Sequence, residues 1–188
     1  MVIVLASGSP RRRVLLQQLG YRLEVLPSAI DETPAGDEDP VDYARRMAEE
    51  KGAACPIEDR VVVAADTVVH QDGRIFGKPA DAEEAIEMLL SLGQHTVTTG
   101  TCVRLGEQRR IRTTSTRVRF RELTRDEVRG YVATGEPMDK AGGYGIQGVG
   151  GFLVRSIEGS HSNVIGLPLA EVLQDLVHFG APAPFGQR

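Results

Sequence analysis

The chain has little that would mark it as a secreted, membrane-bound or metal-cluster protein. Its two cysteines, Cys55 and Cys102, have no metal-ligand spacing, which predicts reduced thiols in a cytoplasmic protein. The apolar residues 2–5 are too few for a signal peptide or a membrane span, and no basic segment precedes them. We therefore expect a cytoplasmic protein with no membrane partner.

A surplus of positive charge is also missing. The formal net charge is −4 and the pI is about 5.6, so we expect no general basic surface and no nucleic-acid partner. Any anion site must be local. Four scattered histidines form no metal cluster, and no Ser/His/Asp order stands out.

What remains has the composition of an ordinary globular protein. The 188 residues are 41% hydrophobic, which argues against disorder, and they contain no repeat or low-complexity tract. This length suits one domain, or two small lobes around a cleft. We predict a single domain over residues 1–180 and a flexible tail over residues 181–188, which are rich in Gly, Ala and Pro.

One stretch, residues 60–70, carries a lone carboxylate in an apolar run. Its β-branched and small residues predict a central strand that is buried on both faces. A buried ionisable group is costly unless another charge meets it, so Asp66 requires a partner such as a metal ion or a lysine. The structural alternative is an Asp that bonds backbone amides at the end of a strand.

The chain opens with a predicted strand over residues 2–6, a loop of small residues and a helix. Ser9 suits the N-cap of that helix, Pro10 its first turn and Gly20 its end. Arg11 and Arg12 oppose the helix dipole, although free amides at a helix start favour an anion. We interpret the arginines as phosphate ligands rather than solvated charges. Residues 21–26 predict a second, parallel strand.

Two lysines are further candidates. Lys51 extends the apolar stripe of a helix that begins near Asp39, so it either snorkels outward or reaches a phosphate in a cleft. Lys78 follows a predicted hairpin and is either a surface lysine or a cation that the hairpin returns toward Asp66. A loop between these elements carries adjacent carboxylates, Asp31 and Glu32.

The second half predicts β-structure followed by helices. Residues 95–121 predict an antiparallel pair of strands, and Thr124 predicts a capping box that opens a helix. A glycine-rich stretch over 135–151 permits close approach of a ligand. A strand over 152–157, a connector over 159–168 and a last helix over 168–179 complete the chain.

Together these residues imply a nucleotide site. Several cations for one anionic ligand imply a polyphosphate, and the carboxylates among them imply Mg²⁺ or Mn²⁺. In such a site the cations hold the phosphates, the metal neutralises developing charge and a carboxylate activates water.

Six motifs run in order over nearly the whole chain: LASGSPRR at 5–12, DE at 31–32, ADTVV at 65–69, GKP at 77–79, DKAGGYGIQG at 139–148 and NVIGLPL at 163–169. In these motifs the sequence closely resembles the Maf family of nucleoside triphosphate pyrophosphatases. The resemblance implies an α/β fold with a long mixed sheet flanked by helices, in two lobes around a central cleft, similar to the inosine triphosphate pyrophosphatases.

The resemblance also implies roles for individual residues. Asp66 would be the proton acceptor and, with Glu32, a ligand of the divalent metal. The residues implied to hold phosphates are Ser7, Arg12, Lys51 and Lys78.

Three positions separate the subgroups of this family, and here they are Arg11, Thr67 and Gln147. They resemble the subgroup that acts on dTTP and UTP, and the same expectation extends to modified pyrimidine nucleotides. An amide such as Gln147 offers a donor and an acceptor to a uracil or thymine ring. A nucleotide-binding regulator of cell division is the alternative function, and a homodimer is only what the resemblance suggests.

Overall fold

The computed structural model describes residues 1–185. These residues form seven strands, six α-helices and three short 3₁₀-helices. The strands are β1 Val2–Leu5, β2 Arg22–Val25, β3 Val62–Gln71, β4 Arg74–Phe76, β5 Gln94–Leu105, β6 Gln108–Phe120 and β7 Val154–Glu158. The α-helices are α1 Pro10–Gln18, α2 Pro40–Ala54, α3 Ala82–Ser91, α4 Arg125–Val132, α5 His161–Ile165 and α6 Leu169–His178. The 3₁₀-helices are Glu136–Asp139, Ala141–Gly143 and Val149–Leu153.

All seven strands belong to one mixed sheet in the order β2-β1-β3-β5-β6-β7, with β4 paired to part of β3. The pairs β1–β2 and β1–β3 are parallel, and the helix α1 provides the crossover connection that the parallel pair β1–β2 needs. The remaining pairs are antiparallel, and of these β3–β4 and β5–β6 are hairpins. The predicted mixed α/β sheet is therefore confirmed.

The central strand β3 has a gap along one edge. β1 pairs with it only at Val62 and Val63, and β4 pairs with it only from Val69 onward. On the opposite edge β5 pairs with β3 without interruption from Val62 to His70. Among residues 1–185, no strand covers the first edge over residues 64–68. Asp66 lies in the middle of this gap.

Separate hydrophobic clusters flank the gap. On one side α1, α5 and α6 pack against β1 and β3 around residues such as Leu16, Val63 and Leu167. On the other side α3 and α4 pack around Val69 and Leu89. The long strands β3, β5 and β6 run through both regions, so the sheet joins two lobes. The expected cleft between two lobes is confirmed.

Local capping explains where the helices begin. The side chain of Ser9 accepts a hydrogen bond from the amide of Arg12, and Asp39 accepts one from the amide of Val41. Thr124 forms the predicted capping box. None of the helices in residues 1–185 has both the length and the apolar character that a membrane crossing needs.

Two predicted elements differ from the structure. The connector predicted over 159–168 contains the helix α5, which Ser160 caps by accepting a hydrogen bond from the amide of Asn163. The strand predicted over 152–157 begins only at Val154, because the residues before it continue a 3₁₀-helix. Both short segments are set by packing, which local sequence patterns describe poorly.

The C-terminal boundary also lies later than expected. Ala181 is buried in the first cluster, and the hydroxyl of Tyr21 donates a hydrogen bond to the carbonyl of Pro182 at 2.8 Å. The folded part therefore extends beyond residue 180. Residues 186–188 of the predicted tail lie outside the described residues.

Candidate active site

A cavity of about 950 Å³ opens at the gap in β3 and lies between the two lobes. Its walls come from α1, α2, β3, the hairpin after β3, the glycine-rich loop and the end of α5. Every site residue predicted from the sequence lines this cavity: Ser7, Arg11, Arg12, Glu32, Lys51, Asp66, Thr67, Lys78 and Gln147. The structure therefore brings the whole predicted set to one cleft.

Asp66 meets a lysine. The ammonium Nζ of Lys51 lies 2.7 Å from Oδ1 of Asp66 and 3.0 Å from Oε2 of Glu32. Lys51 and Asp66 are buried, whereas the side chain of Glu32 is 55% exposed. Lys51 thus points into the cleft instead of snorkelling outward, and Asp66 bonds a cation instead of capping the end of a strand.

The two carboxylates also form a suitable place for a hard divalent cation. Oxygens from β3 and from the loop before α2 converge on one positive charge, the ammonium of Lys51. In residues 1–185 no group of three or more His, Cys, Asp or Glu side chains could hold a metal ion by itself. Mg²⁺ commonly takes one or two carboxylates and completes its shell with water and substrate phosphates, so Glu32 and Asp66 fit such an ion.

Arg12 is a fixed, buried cation on the opposite side of β3. Its guanidinium donates to the carbonyl of Gly166 at 2.8 Å, to Oγ of Ser7 at 2.9 Å and to Oγ1 of Thr67 at 3.0 Å. Burial lowers the pKa of Arg12, and the negative charge of Asp66 opposes this effect. The cleft therefore holds a preorganised positive charge, as a phosphate site requires.

The alternation of β3 explains how one strand serves both sides of the cleft. Successive side chains of a strand point to opposite faces, so Asp66 reaches Lys51 of α2 while Thr67 reaches Arg12 of α1. Because no strand in residues 1–185 covers the β1 and β4 edge of β3 at this point, both faces open into the same cavity.

Sequence reasoning missed Tyr43, which also lines the cavity. Its hydroxyl donates to the backbone carbonyl of Glu32 at 2.7 Å and so anchors the acidic loop to α2. Burial, followed by the charges of Asp66 and Glu32, raises the pKa of Tyr43 to about 12. Its spacing of four residues from Met47 places it on the buried face of α2, which was the available clue.

The other lobe contributes residues at the cleft mouth. Lys78 is exposed and lines the same cavity as Asp66, after the β4 hairpin, and its role as a phosphate ligand stays a prediction. Nη1 of Arg11 lies 3.5 Å from Oδ2 of Asp139, which belongs to the glycine-rich segment. Gln147 is exposed on the loop that follows.

The glycine-rich segment approaches β3 closely. A Cβ atom added to Gly142 would lie 2.9 Å from the methyl groups of Val69, and the backbone there has φ of +71°. Glycine is therefore required at this position for two reasons, space and conformation. Gln147, five residues later in the same segment, lines the cavity.

Comparison with known proteins gives a consistent result. Residues 2–179 match the family described as Maf-like protein. The dTTP/UTP pyrophosphatase of Chromobacterium violaceum is 46% identical over 97% of this chain and 96% of its own length. That of Anaeromyxobacter dehalogenans is 50% identical over 98% and 97%. The solved Ham1 protein of Staphylococcus aureus aligns with 64% of this chain and 72% of its own, with a TM-score of 0.44 and 16% identity.

Proposed function

The chain belongs to the Maf family, and from that premise we propose that it hydrolyses dTTP and UTP to the nucleoside monophosphate and pyrophosphate. The observation that carries the proposal is the buried Asp66, held at 2.7 Å by Lys51 and facing a cleft with further cations. Relatives that match nearly the full length of the chain are named dTTP/UTP pyrophosphatases.

In this proposal the triphosphate lies along the cations of the cleft. Arg12 and Ser7 hold phosphate oxygens from the side of α1, and Lys78 holds them from the hairpin. Lys51 lies between Asp66 and Glu32 and neutralises charge where the phosphates meet the carboxylates. Fixed cations of this kind stabilise charge that builds up on a leaving pyrophosphate, because they need no reorganisation during the reaction.

Asp66 is the proposed general base. Its Oδ1 accepts the hydrogen bond from Lys51, and in residues 1–185 no protein hydrogen bond to its Oδ2 is found. Oδ2 can therefore accept a proton from a water molecule that attacks the α-phosphorus. A positioned carboxylate of this kind contributes roughly 10²- to 10⁴-fold to rate.

We further propose that Glu32 and Asp66 hold Mg²⁺ or Mn²⁺. When bound, such an ion neutralises charge on the phosphates and orients them. Tyr43 supports this arrangement, since its bond to the backbone of Glu32 keeps that loop against α2.

Base selection is assigned to Arg11, Thr67 and Gln147. The exposed amide of Gln147 can pair with the alternating donor and acceptor edge of uracil or thymine. Thr67 acts through Arg12, to which its hydroxyl is bonded. Arg11 has a partner, Asp139, in the other lobe.

We also propose that the protein is cytoplasmic. Both cysteines are buried and unpaired, which agrees with a reducing cytoplasm. The homodimer expected from the family stays a prediction.

The test is a product assay with the purified protein, Mg²⁺ or Mn²⁺ and a panel of nucleoside triphosphates. We expect pyrophosphate from dTTP and UTP, with much slower cleavage of purine nucleotides. Release of orthophosphate would contradict the reaction type, and failure to cleave dTTP and UTP would contradict the substrate assignment. Binding without turnover would favour a nucleotide-binding regulator.

A further inference from the structure

We propose that Glu136 is a positioning residue that fixes the loop carrying Gln147 and thereby sets the discrimination between pyrimidine bases. The inference depends on the proposed function, because it concerns the base that the cleft selects. It names a residue on the first 3₁₀-helix after α4, eleven positions before Gln147.

The carboxylate of Glu136 gathers three donors. Its Oε2 accepts the amide of Val149 at 2.9 Å, and its Oε1 accepts the amide of Gly150 at 2.9 Å and the hydroxyl of Tyr131 at 2.9 Å. Burial acts to raise the pKa of Glu136, but the bonds from Gly150, Val149 and Tyr131 outweigh it and lower the pKa. A single ionised side chain therefore organises the loop just after Gln147.

Space around the carboxylate is as restricted as its hydrogen bonding. A Cβ atom added to Gly148 would meet the carboxylate oxygens of Glu136 at 2.4 to 2.6 Å, and one added to Gly150 would meet the Tyr131 hydroxyl at 2.4 Å. The loop backbone can lie against Glu136 only because both positions are glycine. The residue directly before this contact is Gln147.

Glu136 is itself held firmly. Tyr131 is only 2% exposed in the core of the second lobe, and Nζ of Lys140 donates to the backbone carbonyl of Glu136 at 2.6 Å. Through Tyr131 and Glu136, the helix α4 therefore fixes the position of the loop that carries Gln147. The carboxylate of Glu136 is negatively charged and already accepts three hydrogen bonds, so it is unsuitable as a phosphate ligand. Its role is to position the loop.

The test compares E136Q with the wild-type protein in two measurements. The amide of glutamine keeps the shape but turns one acceptor into a donor that faces a backbone N–H. We expect the kcat/KM for UTP, divided by that for CTP, to fall about tenfold, chiefly through a higher KM for UTP. A displaced Gln147 would bind the uracil ring less well, and small displacements of positioning groups lower kcat/KM steeply. We also expect faster hydrogen exchange at the amides of Val149 and Gly150.

Two further variants separate loop positioning from general damage. Y131F leaves Glu136 unchanged and removes one donor, the hydroxyl that donates to Oε1 at 2.9 Å, while the aromatic ring at position 131 is retained. This variant should shift the UTP/CTP ratio in the same direction but less, and it provides the test if E136Q fails to fold. E158Q, which removes an exposed carboxylate paired with Arg117, should change neither measurement.

The outcomes are distinguishable. An unchanged UTP/CTP ratio in folded E136Q, or a changed ratio without faster exchange at Val149 and Gly150, overturns the role of Glu136. A wild-type protein that cleaves no nucleotide overturns the proposed function instead.

Discussion

Two buried carboxylates, Asp66 on β3 and Asp175 on α6, face cations in different ways. Asp175 is 0% exposed and accepts two hydrogen bonds from Arg112, at 2.8 Å each, and its Oδ1 lies 2.7 Å from Nε of Arg110 in an ion pair. Asp66 receives one bond, from Lys51, and faces the cleft. Both ion pairs tie a helix to the sheet, but only one of them opens onto a cavity.

The difference separates a structural carboxylate from a chemical one. Both oxygens of Asp175 are occupied by guanidinium groups, so this side chain can hold α6 against β6 but cannot accept a proton from a substrate. Asp66 keeps one oxygen without a protein hydrogen bond in the described chain, at the point where the sheet has its gap. Burial and charge pairing alone would not have separated the two.

The largest expected effect is on turnover in D66N. Asparagine keeps the shape of the side chain but cannot act as a base, so kcat should fall about 10³-fold. Nucleotide binding should remain measurable, because Arg12 and the lysines are unchanged. Steady-state kinetics with UTP measure the loss of kcat, and equilibrium binding of UTP measures the retained affinity. A D66N protein with near wild-type kcat would place the base elsewhere.

Lys51 should matter next. K51M removes a positive charge that contacts both Asp66 and Glu32, and we expect kcat/KM to fall about 10²-fold. K51R, which retains the charge in a different shape, should lie between K51M and wild type. If kcat/KM of K51M stays within about threefold of wild type, the ammonium contributes little to the reaction.

Asp175 should give the opposite result. D175N weakens the bonds to Arg110 and Arg112, and we expect unfolding free energy to fall by about 2 kcal/mol. This is below the cost of breaking a fully buried pair, because side chains of Arg110 and Arg112 are 40% and 30% exposed. Activity per folded molecule should not change. Urea denaturation measures the free energy of unfolding, and an assay of the folded protein measures its activity. Loss of turnover in a stably folded D175N protein would contradict the contrast between Asp175 and Asp66.

The smallest effect concerns His95, a buried group that is neither paired with a charge nor open to the cleft. Burial lowers the pKa of His95 to about 4, and its Nε2 lies 2.8 Å from the hydroxyl of Tyr144. The unfolded chain therefore binds this proton at a higher pH than the folded protein, so stability falls as pH drops below 6.5.

Between pH 6.5 and roughly 5.5 the wild-type protein should lose about 1 kcal/mol more than H95Q. Denaturation of both proteins across this window, with NMR titration of the imidazole, checks the sign. An imidazole that gains its proton near pH 6.5 in the folded protein would contradict it.

Local patterns in the sequence predicted most elements, because their causes are local. Ser9, Asp39 and Thr124 cap helices through bonds within three residues, and the turn at Asp72 and Gly73 joins two strands by positive φ angles. The helix α5 was missed because five residues carry too little periodicity.

The sequence predicted which residues form the site, but it did not predict the contacts between them. The motifs contain eight of the nine predicted site residues, and the ninth, Lys51, was a candidate from the apolar stripe of its helix. Nothing local shows that Lys51 meets Asp66 fifteen positions away or that Arg12 meets the carbonyl of Gly166. The gap in β3 depends on where β1 ends and β4 begins, which only the assembled sheet defines.

The most direct test of the central claim is hydrolysis of UTP in water enriched in oxygen-18. If Asp66 directs water to the α-phosphorus, the label enters UMP and the pyrophosphate stays unlabelled. Attack at the β-phosphorus would give the same two products with the label in pyrophosphate. That result would contradict the assignment of Asp66 and of the cleft geometry around it.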